Sequence, residues 1–520
     1  MTMTHDGLPL WWGFIIGICM LVLSLWVMTS RIASTSKAST GFSLTKLPLL
    51  GHIVRFFSRH VWPLLLLKIA FAAIFIVMVT AGLWGTPLVE RNLATTLTWN
   101  LWWTGLIIAV LFSGSAWCAI CPWDNIATWL VNHKIWRRSN SNSRLNLKVP
   151  HILRSVWPAS ILFIGFTWLE LGIGIVASPY ATALLALAMV ILATTALSLF
   201  EGKAFCRYMC PVGRTVGAYS QLSPIALRPI DSNICKGCKT LECFYGSETI
   251  APCPTKLIMG RLQENTYCTS CGNCTQSCPS QNVSWQLRSP SSEAIKDARP
   301  HIDESFFLLT LLALTMFHGL TMLEGWKGYM STMAQMINDN NQLIMSFTIG
   351  LIATLVIPIL CYALAIFITQ KLITKKLIDS TSRQDQKNKL SFKKLFSGFS
   401  FTALPLAFSY HIAHNLTHFV RESSDWVELI KNPLGTGTEP LSMMEKHMRH
   451  MEMMVSENTL FTLQGLMMLA GFVISALVIR HRGYQLFAAK GGQLLPMLLF
   501  AALITSFNIW MLVQPMIMRM

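Results

Sequence analysis

Eight cysteines fall between residues 235 and 278 in two sets, C-x2-C-x4-C-x9-C-P and C-x2-C-x2-C-x3-C-P. The second set is Cys268, Cys271, Cys274 and Cys278, followed by Pro279. Three cysteines at this spacing wrap their thiolates round one face of a 4Fe–4S cluster. The fourth, ahead of proline, lies too far along the loop to close the same cluster and ligates its neighbour. On that logic Cys235, Cys238 and Cys243 take Cys278, while Cys268, Cys271 and Cys274 take Cys253. The first set is looser, with four residues between Cys238 and Cys243 and nine before Cys253, but it keeps all four ligands. Structural zinc would not need a Cys-Pro closure on both sets. Disulfides belong to an oxidising compartment, whereas these pairs carry metal-type spacing. The chemistry implied is one-electron transfer through two 4Fe–4S clusters.

Four more cysteines form two pairs, each closed by proline: Cys118 and Cys121 before Pro122, and Cys206 and Cys210 before Pro211. Each pair follows an apolar run, in SAWCAICPWDNIATWL and in GKAFCRYMCPVGRTVGAYSQL, and each leads into an amphipathic stretch. Two copies of one unit predict a pseudo-symmetric core. If the copies pack face to face, the four sulfurs converge on a third Fe–S cluster, a thiol–disulfide pair or a structural site. The first pair has two intervening residues and the second three, so the two need not play equal roles. Cys19 and Cys361 stand alone in apolar runs and read as small buried hydrophobes.

Histidines make a second group. His411, His414 and His418 stand at i, i+3 and i+7 and share one helix face; His318 is expected at similar depth. Ionisable groups in a bilayer face a bundle interior or a site. The three readings are a bis-His haem b on His318 with His411 or His414, a quinol site in which histidine takes the proton, and packing histidines at the interface. Glu170 and Glu324 would accept protons in the quinol reading. Further on, LSMMEKHMRHMEMM gathers Met443, Met444, His447, Met448, His450, Met451, Met453 and Met454. Thioethers with imidazoles suit Cu(I), and the same pattern suits an interfacial helix or a partner surface.

The elements that must position these groups are membrane helices. Of 520 residues, 53% are hydrophobic and 12% charged, with mean hydropathy +0.49; a soluble chain carries about twice that charged fraction. Ten spans of about twenty residues are predicted, near 10–30, 62–84, 97–117, 152–174, 181–200, 305–325, 343–369, 397–419, 459–480 and 494–515. The first lacks the basic flank and cleavage site of a signal peptide. The net charge of +17 does not indicate nucleic acid, because the excess Lys and Arg fall in alternate loops, as the positive-inside rule predicts. That rule puts the cysteine segment on the cytoplasmic side of a bacterial inner membrane and both termini outside. The clusters then lie inside and the histidines near the outer face, across roughly 30 Å of hydrocarbon. Either a haem or third cluster bridges that gap, or the two halves serve different steps.

The order CAICP, GKAFCRYMCPVG, double cysteine run resembles the membrane polyferredoxin family that includes the NapH, NosR and CcoG proteins, over about residues 60–290. The resemblance implies electron transfer between the quinone pool or a cytoplasmic donor and a redox partner protein. The expectation is an all-α polytopic membrane protein of about ten transmembrane helices with an inserted small α+β dicluster ferredoxin domain. Its divisions are an anchor helix and basic loop (1–60), a four-helix core (61–230), the ferredoxin (231–300) and a C-terminal membrane domain (301–520). The expected role is an electron-transfer subunit rather than a stand-alone enzyme. The alternative is a CcoG-like assembly factor that reduces copper for a metalloenzyme. GxGxxG is absent, which argues against direct NAD(P)H oxidation.

Overall fold

The computed structural model describes residues 4–5, 7–29, 41–135, 144–340, 343–378, 391–421, 426–451, 455–489 and 491–517. Among them, eight helices are long and apolar enough to cross a membrane: Leu10–Thr29, Trp62–Trp84, Leu93–Ser113, Pro179–Leu199, Ile302–Thr321, Ile344–Lys375, Glu457–Phe487 and Gly491–Val513. Helices satisfy every backbone polar group internally, which is what hydrocarbon demands. The chain is a multi-pass, all-α membrane protein with a small ferredoxin-like segment.

Two further predicted spans take a different form. The fourth is a 12-residue α-helix, Trp157–Trp168, continued as a π-helical turn, Leu169–Ile173. The eighth is Ala403–Arg421, entered from Phe392–Phe399 through the tight turn Ser400–Thr402. This helix falls short on hydropathy because it has little contact with lipid. It packs against Ile302–Thr321, Glu457–Phe487 and Trp103–Ser113, and His411, His414 and His418 are all buried. Gln464 reaches into it, donating to the Ala413 carbonyl and the Thr417 hydroxyl at 2.8 Å each. The neighbours come close because Gly319 and Gly471 carry no Cβ; one there would collide with Tyr410 and Ser409.

The N-terminal helix Leu10–Thr29 lies against Glu457–Phe487 and Gly491–Val513, and strand Thr4–His5 pairs antiparallel with Met516–Ile517. The two ends of the chain thus share one layer. The helices of the repeated units form a second apolar cluster, around Phe75, Trp123, Met189 and Phe205.

The cysteine-rich segment caps one end of the bundle. Its frame is a three-stranded antiparallel sheet with Val283–Leu287 in the centre, Ile225–Pro229 on one edge and Phe42–Ser43 on the other. Glu293 is buried between two cations, Arg228 and Arg288, and accepts from the Asn265 N–H at 2.8 Å. Arg482 clamps the same corner to the bundle. It donates to the carbonyls of Ala294 (2.7 Å) and Ala298 (3.1 Å) and lies 3.8 Å over the Phe401 ring. Removing one member of a buried ion group strands the rest. Glu293→Ala is therefore expected to destabilise the cap by about 3–5 kcal/mol, read as a lowered melting temperature of the detergent-solubilised protein; an unchanged melting temperature would refute this.

Candidate functional site

The two repeated units place their cysteines at equivalent points. In the first, Trp117–Ile120 is a single α-turn, and helix Pro122–Asn132 follows Cys121. In the second, Phe205–Met209 is a π-turn, closed by the Cys210 N–H on the Phe205 carbonyl at 2.8 Å, and helix Pro211–Tyr219 follows Cys210. A π-turn takes up one extra residue. That explains how C-x2-C and C-x3-C occupy like positions. Proline stands at the first helical position in both, where its missing N–H costs nothing.

Cys118, Cys121 and Cys206 each lie within electrostatic range of Cys210. Two helix N-termini therefore point at one group of sulfurs, a setting that favours negative charge. Cys210 Sγ accepts the Gly213 N–H at 3.2 Å. Asp124 accepts from Cys206 Sγ at 3.3 Å and pairs with Lys203 Nζ at 2.5 Å. Cys121 and Cys210 are buried, while Cys118 and Cys206 are half-buried at the surface of this group. Burial pushes the Cys118 thiol up to about 12 and the Cys210 thiol up to about 11, and raises Cys121 and Cys206 as well. A reactive redox thiol needs a lowered pKa. A metal, by contrast, deprotonates buried thiols and supplies the missing positive charge.

In the cap, Asn282 bridges Cys278 and Cys235. Its N–H donates to Cys278 Sγ and its side-chain amide to Cys235 Sγ, both at 3.4 Å. Cys235, Cys238, Cys243 and Cys278 sit together, as do Cys253, Cys268, Cys271 and Cys274. Backbone N–H groups of Leu257 and Ser270 reach Cys253 and Cys268 at 3.3 and 3.4 Å. The sets are near neighbours through Cys243 and Cys274. The second set also abuts the membrane-edge group: Cys118 lies within range of Cys268, and Ser115 and Ser270 share a 2.8 Å hydrogen bond. All fourteen cysteines are free thiols.

Within the bundle, a cavity of about 190 Å³ is walled by Trp99, Trp102, Trp103, Trp117 and Trp123, by Pro122 and Pro211, and by Glu170, His318, His411 and His414. The wide separation expected between the cysteines and the histidines is therefore not found. One cavity is lined by the histidines and by Pro122 and Pro211, the residues that follow Cys121 and Cys210, and helix Pro211–Tyr219 runs from Cys210 to His411. The Tyr219 hydroxyl and His411 Nδ1 share a hydrogen bond at 3.0 Å, and Trp103 packs on the His411 ring at 5.5 Å. His318 Nε2 faces Glu170 Oε2 at 3.5 Å. His418 lies beyond, against His414, and does not line the cavity. Glu324 is exposed and does not line the cavity. The indole N–H groups of Trp102 and Trp117 are buried without an acceptor.

Sequence reasoning missed Tyr219, the tryptophan wall and Asp124. Tyr219 and Asp124 stand in the two repeated units, and only packing shows what they face. Met443–Met451 is helical, with Met443, Met444 and Met448 exposed; the side chains of His447, His450 and Met451 and the whole of Met453 and Met454 lie outside the described ones. The helix is tied to the first half by Glu445, 3.2 Å from Arg91. Among the described residues, no three His, Cys, Asp or Glu side chains form a single-ion site.

A family model described as a 4Fe–4S binding domain matches residues 95–132 and 181–222. Those are the two repeated units, with Cys118, Cys121, Cys206 and Cys210 inside them. In these two segments the chain is similar to a 4Fe–4S binding domain. Over 120 residues it is 31% identical to YccM of Escherichia coli (strain K12), whose name assigns it provisionally to electron transport. The match covers 22% of this chain and 30% of YccM. No solved structure matches.

Outside the membrane, Glu264 has a carboxyl pushed up to about 7 by burial and by Glu304 and Glu293. Its protonated form is the one the fold favours. Its contribution to stability is therefore full below the ordinary value of 4.5 and is lost as pH rises to about 7. Glu264→Gln is expected to flatten the fall in melting temperature across that window; an unaltered slope would discount Glu264 as its source.

Proposed function

We propose that the protein exchanges electrons between a membrane quinol and a soluble redox partner on the ferredoxin side. The observation that carries this is the shared cavity: Pro122 and Pro211, next to Cys121 and Cys210, wall it together with His411 and the His318–Glu170 pair. The residues line up in space as cavity, membrane-edge cysteines, second ferredoxin set, first set. Cys235, Cys238, Cys243 and Cys278 would hold one 4Fe–4S cluster, and Cys268, Cys271, Cys274 and Cys253 another. Cys118, Cys121, Cys206 and Cys210 would hold a third, and the family match on those two segments supports it. Such clusters supply one-electron transfer along that line.

The cavity residues handle substrate and protons. Oxidation of a quinol releases two electrons and two protons. His411, backed by Tyr219, and His318, backed by Glu170, accept protons, while the Trp102 and Trp117 N–H groups offer donors to a quinone oxygen. Reduction of a quinone runs the same steps backwards. The haem reading is less well served, since the His318 nitrogen facing Glu170 is one a haem iron would need. The basic loops support placing the ferredoxin segment in the cytoplasm of a bacterial cell.

Anaerobic purification is expected to give about twelve irons per chain, falling to about eight in a Cys118→Ala/Cys206→Ala variant that keeps its ferredoxin spectrum. Eight irons in the unaltered protein would leave the membrane-edge cysteines without a cluster. Quinol-driven cluster reduction is expected to slow by on the order of a hundredfold in His411→Leu with iron content unchanged. A haem b band in the reduced-minus-oxidised spectrum, or full quinol activity in that variant, would overturn the quinol assignment.

A further inference from the structure

A second cavity, of about 870 Å³, opens where the ferredoxin segment meets the bundle. Five cations line it: Lys68, Lys134, Arg144, Lys203 and Lys256. None of its lining residues is acidic. Two of the cations are paired from behind, Lys203 with Asp124 and Lys256 with Glu201, each at 2.5 Å. Arg144 donates to the Asn132 side chain at 2.7 and 3.1 Å. Among the described residues, Lys68 and Lys134 form no ion pair, and Lys68 is only partly exposed. Crowding like charges together costs free energy when nothing opposes them, more so where protein shields them from water. Concentrated positive charge in a concave site raises the local concentration of anions.

Three features narrow the occupant. The volume falls within the range of small-molecule pockets and the shape is concave, unlike the broad surface a protein partner needs. Trp129 and Tyr245 supply apolar faces beside the cations. Cys253 and Cys271, which sit together with Cys268 and Cys274, form part of the wall. We propose that this cleft binds a phosphate-bearing anion, held by Lys68, Lys134 and Arg144 with its body against Trp129 and Tyr245. Two sources share that chemistry. One is a soluble phosphorylated ring cofactor, which would sit beside Cys253 and Cys271. The other is the headgroup of an anionic lipid, since the cleft reaches the start of the span Trp62–Trp84 through Leu64 and Leu65.

The test is binding to the full-length, delipidated protein in detergent, with flavin mononucleotide read by fluorescence and cardiolipin read by native mass spectrometry. Both are run against Lys68→Gln/Lys134→Gln and the charge-keeping Lys68→Arg/Lys134→Arg. One probe is expected to bind, to be displaced by inorganic phosphate and salt, and to lose at least about tenfold per lysine in the Gln variant while the Arg variant retains binding. Flavin alone assigns a soluble cofactor, and cardiolipin alone assigns a lipid. Binding of neither, or equal binding by the Gln variant, overturns the proposal. The readout is affinity, so it stands whether or not the cavity takes a quinol.

Discussion

Four thiols brought together under protein cannot ionise unless something supplies positive charge. That constraint organises this molecule. Two helices start at Cys121 and Cys210 and direct their N-terminal dipoles at the sulfurs. Lys203 is held charged against its own burial by Asp124. The ferredoxin segment is docked so that Ser270 meets Ser115. Each contact puts partial or full positive charge, or a precise neighbour, at the junction of membrane and cap.

The same helices that begin at the cysteines wall the cavity with their first residues, Pro122, Trp123, Pro211 and Val212. Pro211–Tyr219 is nine residues long, about 13 Å at 1.5 Å per residue. It ties a sulfur at one end to the Tyr219–His411 hydrogen bond at the other. The nearly lipid-free helix Ala403–Arg421 can carry three histidines because neighbouring helices, not hydrocarbon, surround it. Polar groups are affordable at that depth only where protein or a cavity faces them.

The cap is more than an appended ferredoxin. Arg482, from the C-terminal half, binds its last turn, and Phe42–Ser43, from the N-terminal loop, completes its sheet. Regions far apart in sequence thus fix how the cysteine sets sit on the bundle. This is why a basic cleft with Cys253 and Cys271 in its wall exists at all.

The sequence alone determined the grouping of the cysteines, the apolar spans and the repeated unit, because each depends on residue type and local spacing: C-x2-C turns, Cys-Pro helix starts and runs of apolar residues carry their meaning within a few neighbours. It also pointed to His318, His411, His414 and Glu170. It placed them across the membrane from the cysteines, because span order says nothing of how far a helix is inserted or tilted. Only tertiary packing brought Pro122, Pro211 and His411 to one cavity, set Tyr219 behind His411, and gave the unequal cysteine pairs equal positions through a π-turn. The enclosure of Ala403–Arg421 was equally hidden. Contacts between residues a hundred or more positions apart depend on how whole helices fit together, and no local pattern encodes that fit.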